Sequence, residues 1–184
     1  MIWRMKMKLS ENTVDVLKNF SEINQNILIK EGNVLSTMST MKNILGTAGV
    51  AENFPRNFGI YDLNEFLGVL TLVDNPELKF ENDSYLIVNG GYTKIKYFYS
   101  DPSILTTPPE TFNPPEVGQS ITITEKKLKD VLKASAVMQL PDIIIRSDNQ
   151  TVLIEATDVK NTTSNNYTLD LGITGVEGEF NYHF

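Results

Sequence analysis

Asp15-Val16-Leu17-Lys18 recurs as Asp130-Val131-Leu132-Lys133, 115 residues further along the chain. A four-residue identity arises by chance. The matching order of elements around it does not. Each copy sits in a segment with helical apolar spacing, after a short apolar stretch and a capping residue. Each is followed by strand, polar turn and strand. The chain therefore reads as an α+β fold written twice.

In the first copy Met7 to Leu9 is the short strand and Ser10 the N-cap, with Glu11 suited to the positive end of the helix dipole. Val16, Leu17, Phe20 and Ile23 fall on one helical face, with Thr13 at its edge, and Asn24 to Asn26 end the helix. Ile27 to Ile29 and Val34-Leu35 read as strands around a turn at Glu31-Gly32-Asn33. In the second copy Ser120 to Ile123 is the strand and Thr124 the cap. Leu128, Val131, Leu132, Ser135 and Ala136 are the expected buried face, and Pro141 blocks continuation of the helix. Ile143 to Ile145 and Val152 to Ile154 follow, around a turn at Ser147 to Gln150.

The first copy continues with a strand at Phe58 to Tyr61, a cap at Asp62, and a helix carrying Leu63, Phe66, Leu67 and Leu70. Strands at Leu78 to Glu81, Tyr85 to Val88 and Thr93 to Tyr99 come next. This order suggests that the first domain is itself two similar halves, although Met38 to Asn57 is weakly patterned. The second copy adds strand-like stretches at Asn166 to Leu171 and Glu179 to Phe184. By the repeat it should run to about residue 225. Counterparts of the second helix and its three strands are missing, so the expectation is a chain truncated relative to a two-domain protein. The repeat also needs nothing before Met7, which leaves Met5 or Met7 as alternative starts.

The domain boundaries that follow are 1–104 and 118–184, joined by a connector at 105–117. Four of the eight prolines lie between Ile104 and Pro115, favouring an extended, semi-rigid segment. It is either a plain linker or part of a peptide-docking surface, with Phe112 as the candidate apolar contact.

Composition narrows the function. With no cysteine, and one histidine at position 183, thiolate chemistry, Cys-ligated metals and histidine-based catalysis have no residues to work with. No apolar run approaches the roughly 20 residues of a membrane-spanning helix. Asp62 and Glu65 are paired acids at i and i+3, but Asp62 is better read as a helix cap, and Asp142 and Asp148 as solvated acids flanking a strand and its turn. Nothing assembles a nucleophile, base and orienter, so no enzyme activity, cofactor or metal is expected. The net charge of -7 argues against tight wrapping of nucleic acid but permits a local basic face. Lys126, Lys129 and Lys133 provide one, at i, i+3 and i+7 opposite the apolar face, with Lys127 on the flank and Asp130 interrupting. Lys18 holds the equivalent place on the first helix, beside Asp15 and Glu22. Such a stripe gives at most non-specific, salt-sensitive phosphate contact, and it is equally the ordinary solvated face of a helix.

The segment Met7 to Ser10 through Leu17 to Phe20 and Ile23-Asn24 resembles the start of the sliding clamps of T4-type bacteriophages, the DNA polymerase processivity factors. Ile60-Tyr61-Asp62-Leu63-Asn64-Glu65-Phe66-Leu67-Gly68 is similar to that family's I-Y-D-L-N-x-F-L-G run. Asp101-Pro102-Ser103, the proline-rich connector and Tyr167 to Gly172 match in order, so the resemblance extends from Met7 to Phe184. Only Met1 to Lys6 has no counterpart.

The resemblance implies a duplicated clamp fold, with antiparallel sheets outside and helices on the inner face, and here an incomplete second domain. It implies a head-to-tail homotrimer around duplex DNA, opened by a clamp loader. It also implies tethering of the DNA polymerase through a short peptide docked near the connector, and use by the late-transcription machinery. The place of action would be the cytoplasm of an infected bacterial host. The DNA-facing residues would be Lys18, Lys126, Lys129 and Lys133. The subunit joint would pair Thr93 to Tyr99 with Tyr167 to Leu171, involving Lys94, Lys96, Tyr97, Tyr167, Leu169 and Leu171. A non-enzymatic viral structural or assembly protein with a duplicated α+β fold is the rival reading, and a carboxylate-based hydrolase a weaker one.

Overall fold

The computed structural model describes residues 5–113, 116, 119–148, 151–174 and 178–184. Pro114 and Pro115 of the connector, the tip of the turn at Ser147 to Gln150 and the side chain of Asp148 lie outside the described residues. The chain divides into two units, Met1–Asn113 and Pro114–Phe184.

The first unit runs β1 (Met5–Met7), α1 (Glu11–Ile23), β2 (Ile27–Ile29), β3 (Gly32–Met38), β4 (Leu45–Phe54), β5 (Phe58–Ile60), α2 (Leu63–Thr71), β6 (Glu77–Phe80), β7 (Tyr85–Gly90) and β8 (Thr93–Phe98). This is strand-helix-strand-strand-strand twice over, the inner repeat the sequence suggests. One antiparallel sheet has the order β1-β6-β7-β8, and β2-β5 and β3-β4 form antiparallel pairs. Strand β1 lies two residues earlier than expected. Met5 and Lys6 pair with Phe80 and Lys79, so they belong to the fold and not to an extension before it. Strands β2 and β3 do not form the expected hairpin. Strand β2 pairs with β5, some 30 residues on, and β3 pairs with the next strand, β4.

Helix α1 starts where Ser10 Oγ accepts the Thr13 amide at 3.3 Å. Helix α2 starts where Asp62 Oδ1 accepts the Glu65 amide at 3.0 Å. The two helices pack side by side. Leu17 of α1 and Leu63 of α2 are fully buried, and Phe66 nearly so. Gly59 sits mid-strand in β5, where a Cβ would lie 2.5 Å from the Ser100 carbonyl and 2.7 Å from Leu105. Only glycine lets the chain after β8 come that close. Ser100 then donates to Gly59 O at 3.0 Å.

The second unit runs α3 (Glu125–Met138), β9 (Asp142–Asp148), β10 (Thr151–Thr157), β11 (Tyr167–Thr174) and β12 (Glu179–His183), in one antiparallel sheet ordered β11-β10-β9-β12. These strands correspond to β4, β3, β2 and β5. The register agrees: Ile27 faces Ile60 and Ile29 faces Phe58, while Ile144 faces His183 and Ile145 faces Tyr182. Ile143 exchanges both backbone hydrogen bonds with Phe184, as the same alignment requires.

Two expectations for this unit fail. Ser120 to Ile123 is not a strand, although Ile121 and Ile123 pack on the core. The reason lies in pairing: β1 exists by bonding to β6, and the second unit has no β6 counterpart among the described residues. The expected buried face of α3 is also only partly buried. Val131 is fully buried and Ser135 half-buried, but Leu128, Leu132 and Ala136 are exposed. In the first unit α2 covers the corresponding face.

Candidate nucleic-acid interface

Thr124 Oγ1 accepts the Lys127 amide and opens α3, and Gln139 closes it in the left-handed region, φ 54°. Between these caps the cations sort by their place on the helix. Lys126, Lys129 and Lys133 are all exposed and span about 10 Å of axis. Lys129 pairs with Glu125 at 2.5 Å, a contact of two exposed side chains that costs little to exchange for a phosphate. Lys126 and Lys133 have no ion-pair partner among the described residues. Lys18 on α1 is exposed and pairs with Asp15 at 3.0 Å.

Lys127 does something else. Its Nζ turns under the helix and donates to Leu171 O at 2.6 Å and Asp170 O at 3.4 Å. It ties the start of α3 to β11. In the first unit Glu52 of β4 makes the corresponding tie, accepting from the Ser10 amide and the Thr13 hydroxyl. Burial pushes the Glu52 carboxyl up, but the hydrogen bonds from Thr13 and Ser10 outweigh it and leave its pKa below the ordinary 4.5. Neither tie is visible in the sequence, because each joins a helix start to a strand some 40 residues away.

The two strands expected at a subunit joint are both sheet edges. Strand β8 pairs only with β7 and β11 only with β10 among the described residues. Their backbone edges are open, but their side chains divide between two faces. Lys94 and Lys96 are exposed, with Lys96 Nζ 4.5 Å over the Tyr85 ring. Tyr97 turns inward: its ring meets Phe66 edge-on at 5.2 Å and its hydroxyl donates to Asp62 O at 3.3 Å. Burial, then the nearby Glu65 and Asp62, push its pKa up to about 12. Tyr167 and Leu169 pack against the second unit's own core, and Leu171 is part of it. What these strands offer a neighbour is thus main chain, not those inward rings and leucines.

Near the connector, Leu28, Val34 and Ser36 face Thr107, Pro108 and Pro109 across a groove of about 120 Å³, with Lys30 and Glu110 at its margins. The connector is pinned here, since the Thr106 amide donates to Asn26 Oδ1 at 2.9 Å and Leu105 is buried. Phe112 is exposed and outside the groove lining.

The acids weighed for catalysis have structural work. Asp62 caps α2, and Asp142 Oδ2 accepts the Val159 amide at 2.9 Å. Among the described residues no group of three or more acids and histidines is arranged to hold a metal, and no helix is long and apolar enough to cross a membrane.

The model of the DNA polymerase processivity factor family matches residues 8–105, more than half of the chain. The chain belongs to the DNA polymerase processivity factors. Over 183 residues it is 32% identical to the sliding clamp of Vibrio phage KVP40, covering 97% of this chain and 83% of that one. It is 29% identical over 180 residues to the sliding clamp of Enterobacteria phage T4, covering 96% and 79%. About a fifth of each relative thus lies outside the match. A Helicobacter pylori β clamp shares the fold at a TM-score of 0.69 and 15% identity, and the chain spans about half of that protein, 51%. As a processivity factor the chain has a DNA-clamp-type function and is not an enzyme.

Proposed function

We propose that this chain is the subunit of a DNA sliding clamp that encircles duplex DNA and tethers the DNA polymerase for processive synthesis. Subunits join head to tail as a homotrimer, main chain to main chain, the open edge of β8 against the open edge of β11. Lys94 and Lys96 flank that joint. Lys18, Lys126, Lys129 and Lys133 face the DNA. The observation that carries the reading is similarity to phage sliding clamps along nearly the whole chain, joined to one open sheet edge in each unit, β8 and β11.

The net charge of -7 is consistent with this. A ring holds DNA by topology and needs no tight phosphate grip. A few exposed lysines suffice, and weak contacts permit sliding. The segment 105–117 acts as the connector between domains. The groove formed by Leu28, Val34 and Thr107 to Pro109 receives a short apolar peptide of the polymerase, with Phe112, exposed on the same connector, as a further apolar contact. A clamp loader and the late-transcription machinery are the other partners, in the cytoplasm of an infected bacterium.

The test is DNA synthesis on primed circular DNA with a T4-type phage polymerase and loader. One arm adds the portion of the Vibrio phage clamp outside the match. Longer products in either arm are the expected result, and unchanged product length in both contradicts the proposal.

A further inference from the structure

The four-stranded sheet of the first unit has two faces of opposite character. Leu78, Phe80, Leu86 and Val88 are buried in the core that also holds Leu17 of α1 and Phe66 of α2, and Ile95, Tyr97 and Tyr99 pack on it. The other face carries every charged side chain of the four strands: Lys6 of β1, Glu77 and Lys79 of β6, and Lys94 and Lys96 of β8. The register sets Lys6, Lys79, Ile87 and Lys96 in one row across the sheet, roughly 14 Å from end to end. Glu77 lies 3.7 Å from Lys6 and 3.9 Å from Lys79, and Glu81 follows β6 at the turn. Lys94 and Lys96 are exposed and have no carboxylate partner among the described residues. A chain of net charge -7 thus gathers positive charge on this one face. Beside the row stand two aromatic rings. Tyr85 and Phe98 face each other in register, edge to face at 5.5 Å, with Lys96 Nζ 4.5 Å over Tyr85. Ile87 of the same face is buried, whereas Phe98 is 63% exposed.

We propose that this lysine face of the β1-β6-β7-β8 sheet binds a single strand of nucleic acid, with Lys79, Lys94 and Lys96 on its phosphates and a base stacked on Phe98. Charge complementarity selects a polyanion, and the exposed ring selects among polyanions. A duplex keeps its base faces inside its own stack and offers Phe98 nothing. An acidic peptide would use the lysines and leave the ring in water. A single strand presents phosphates and open base faces together, and both kinds of contact supply affinity without reading sequence. The length of the row suits about four nucleotides, the short end of the range for single-strand sites. The face lies across the sheet from α1 and α2, so it is separate from Lys18. It needs no second copy of the chain, and the inference stands whether or not subunits close into a ring.

The test is fluorescence anisotropy of the full 184-residue chain at low salt with three labelled probes: a thymidine 12-mer, a duplex of equal length and a 12-residue oligoglutamate peptide. The expected order of affinity places the single strand first. Lys94→Glu with Lys96→Glu should weaken its binding at least about tenfold and lower the salt slope by about one to two units. Phe98→Leu should weaken it about fivefold and leave the salt slope unchanged, since stacking releases no counterions. The charge-matched control Lys42→Glu with Lys160→Glu, both exposed and off this face, should change it less than about twofold. Melting curves and amide exchange along β7 and β8 verify that each variant is folded. Failure to bind the single strand overturns the inference, and so does equal or tighter binding of the peptide or the duplex. Equal losses in the control and the sheet variants overturn it by reducing the effect to net charge. Unchanged binding in Phe98→Leu overturns it as well, because the lysines alone do not distinguish a single strand from any other polyanion.

Discussion

Leu17 and Leu132 hold the same place in the same four-residue repeat, yet Leu17 is fully buried and Leu132 is 51% exposed. The helices beneath them begin with similar caps, lie over corresponding strands and carry a lysine at the next position. The difference is the neighbour. Beside α1 lies α2, and nothing among the described residues takes that place beside α3. A heptad-like apolar pattern therefore states where a helix can bury itself, and the presence of a partner decides whether it does. The same holds for Met5–Met7 against Ile121 to Ile123. One is a strand because β6 is there to bond it, and the other has strand-like residues and no ladder.

The sharpest way to break this comparison is to cut both leucines back. Leu17→Ala should destabilise the first unit by about 3 kcal/mol, the cost of a cavity under a sealed face. Leu132→Ala should change the second unit by less than about 0.5 kcal/mol, as exposed substitutions do. Urea unfolding followed by amide exchange in each helix reads both. Equal losses would remove the distinction.

The ties between helix start and strand come next. Lys127→Met removes the donor to the Leu171 and Asp170 carbonyls and should cost the second unit about 1 kcal/mol. The first unit should be unaffected, and exchange at the start of α3 checks both. Glu52 makes the corresponding tie with a carboxylate, so its effect depends on pH. Its folded pKa is depressed, so the stabilisation is complete above the ordinary 4.5 and is lost as pH falls through the folded value. Glu52→Gln should flatten the acid limb of the first unit's stability curve and leave that of the second unit unchanged. Thermal melts from pH 3 to pH 7 show it. A wild-type acid limb in the variant would mean that another group carries the pH dependence.

The smallest effect concerns DNA. Lys133→Glu should weaken non-specific duplex binding and lower the salt slope by about one unit. Lys18→Glu should do the same less strongly, because two acids, Asp15 and Glu22, flank Lys18 on α1 and lower the local positive potential. Titrations at several salt concentrations separate the two, and identical slopes for both variants and wild type would take these lysines out of the DNA-facing set.

Much of the fold was legible. Ser10, Asp62 and Thr124 cap the helices as expected, and β7, β8, β9 and β10 fall close to their predicted places. Strand β4 was not, because Leu-Gly-Thr-Ala-Gly-Val-Ala-Glu-Asn-Phe is poor in strand formers and is held by its pairing with β3. The exposed lysines of the candidate interface were readable from helical spacing. Lys127 was not, because its long stem lets the ammonium reach a strand far away in sequence. For the proposed joint, side-chain direction was not readable from residue identity. Alternation along an edge strand sends Tyr97, Tyr167, Leu169 and Leu171 toward their own cores, and an open main-chain edge has no signature in side chains.

The central claim is that this family member holds DNA by enclosing it. The direct measurement is retention after loading on a nicked circular duplex, washed at high salt, before and after the circle is cut. The account predicts protein that stays on the circle through the wash and slides off once the DNA is linear. Retention that is equal on circular and linear DNA, or that salt removes from both, would contradict it.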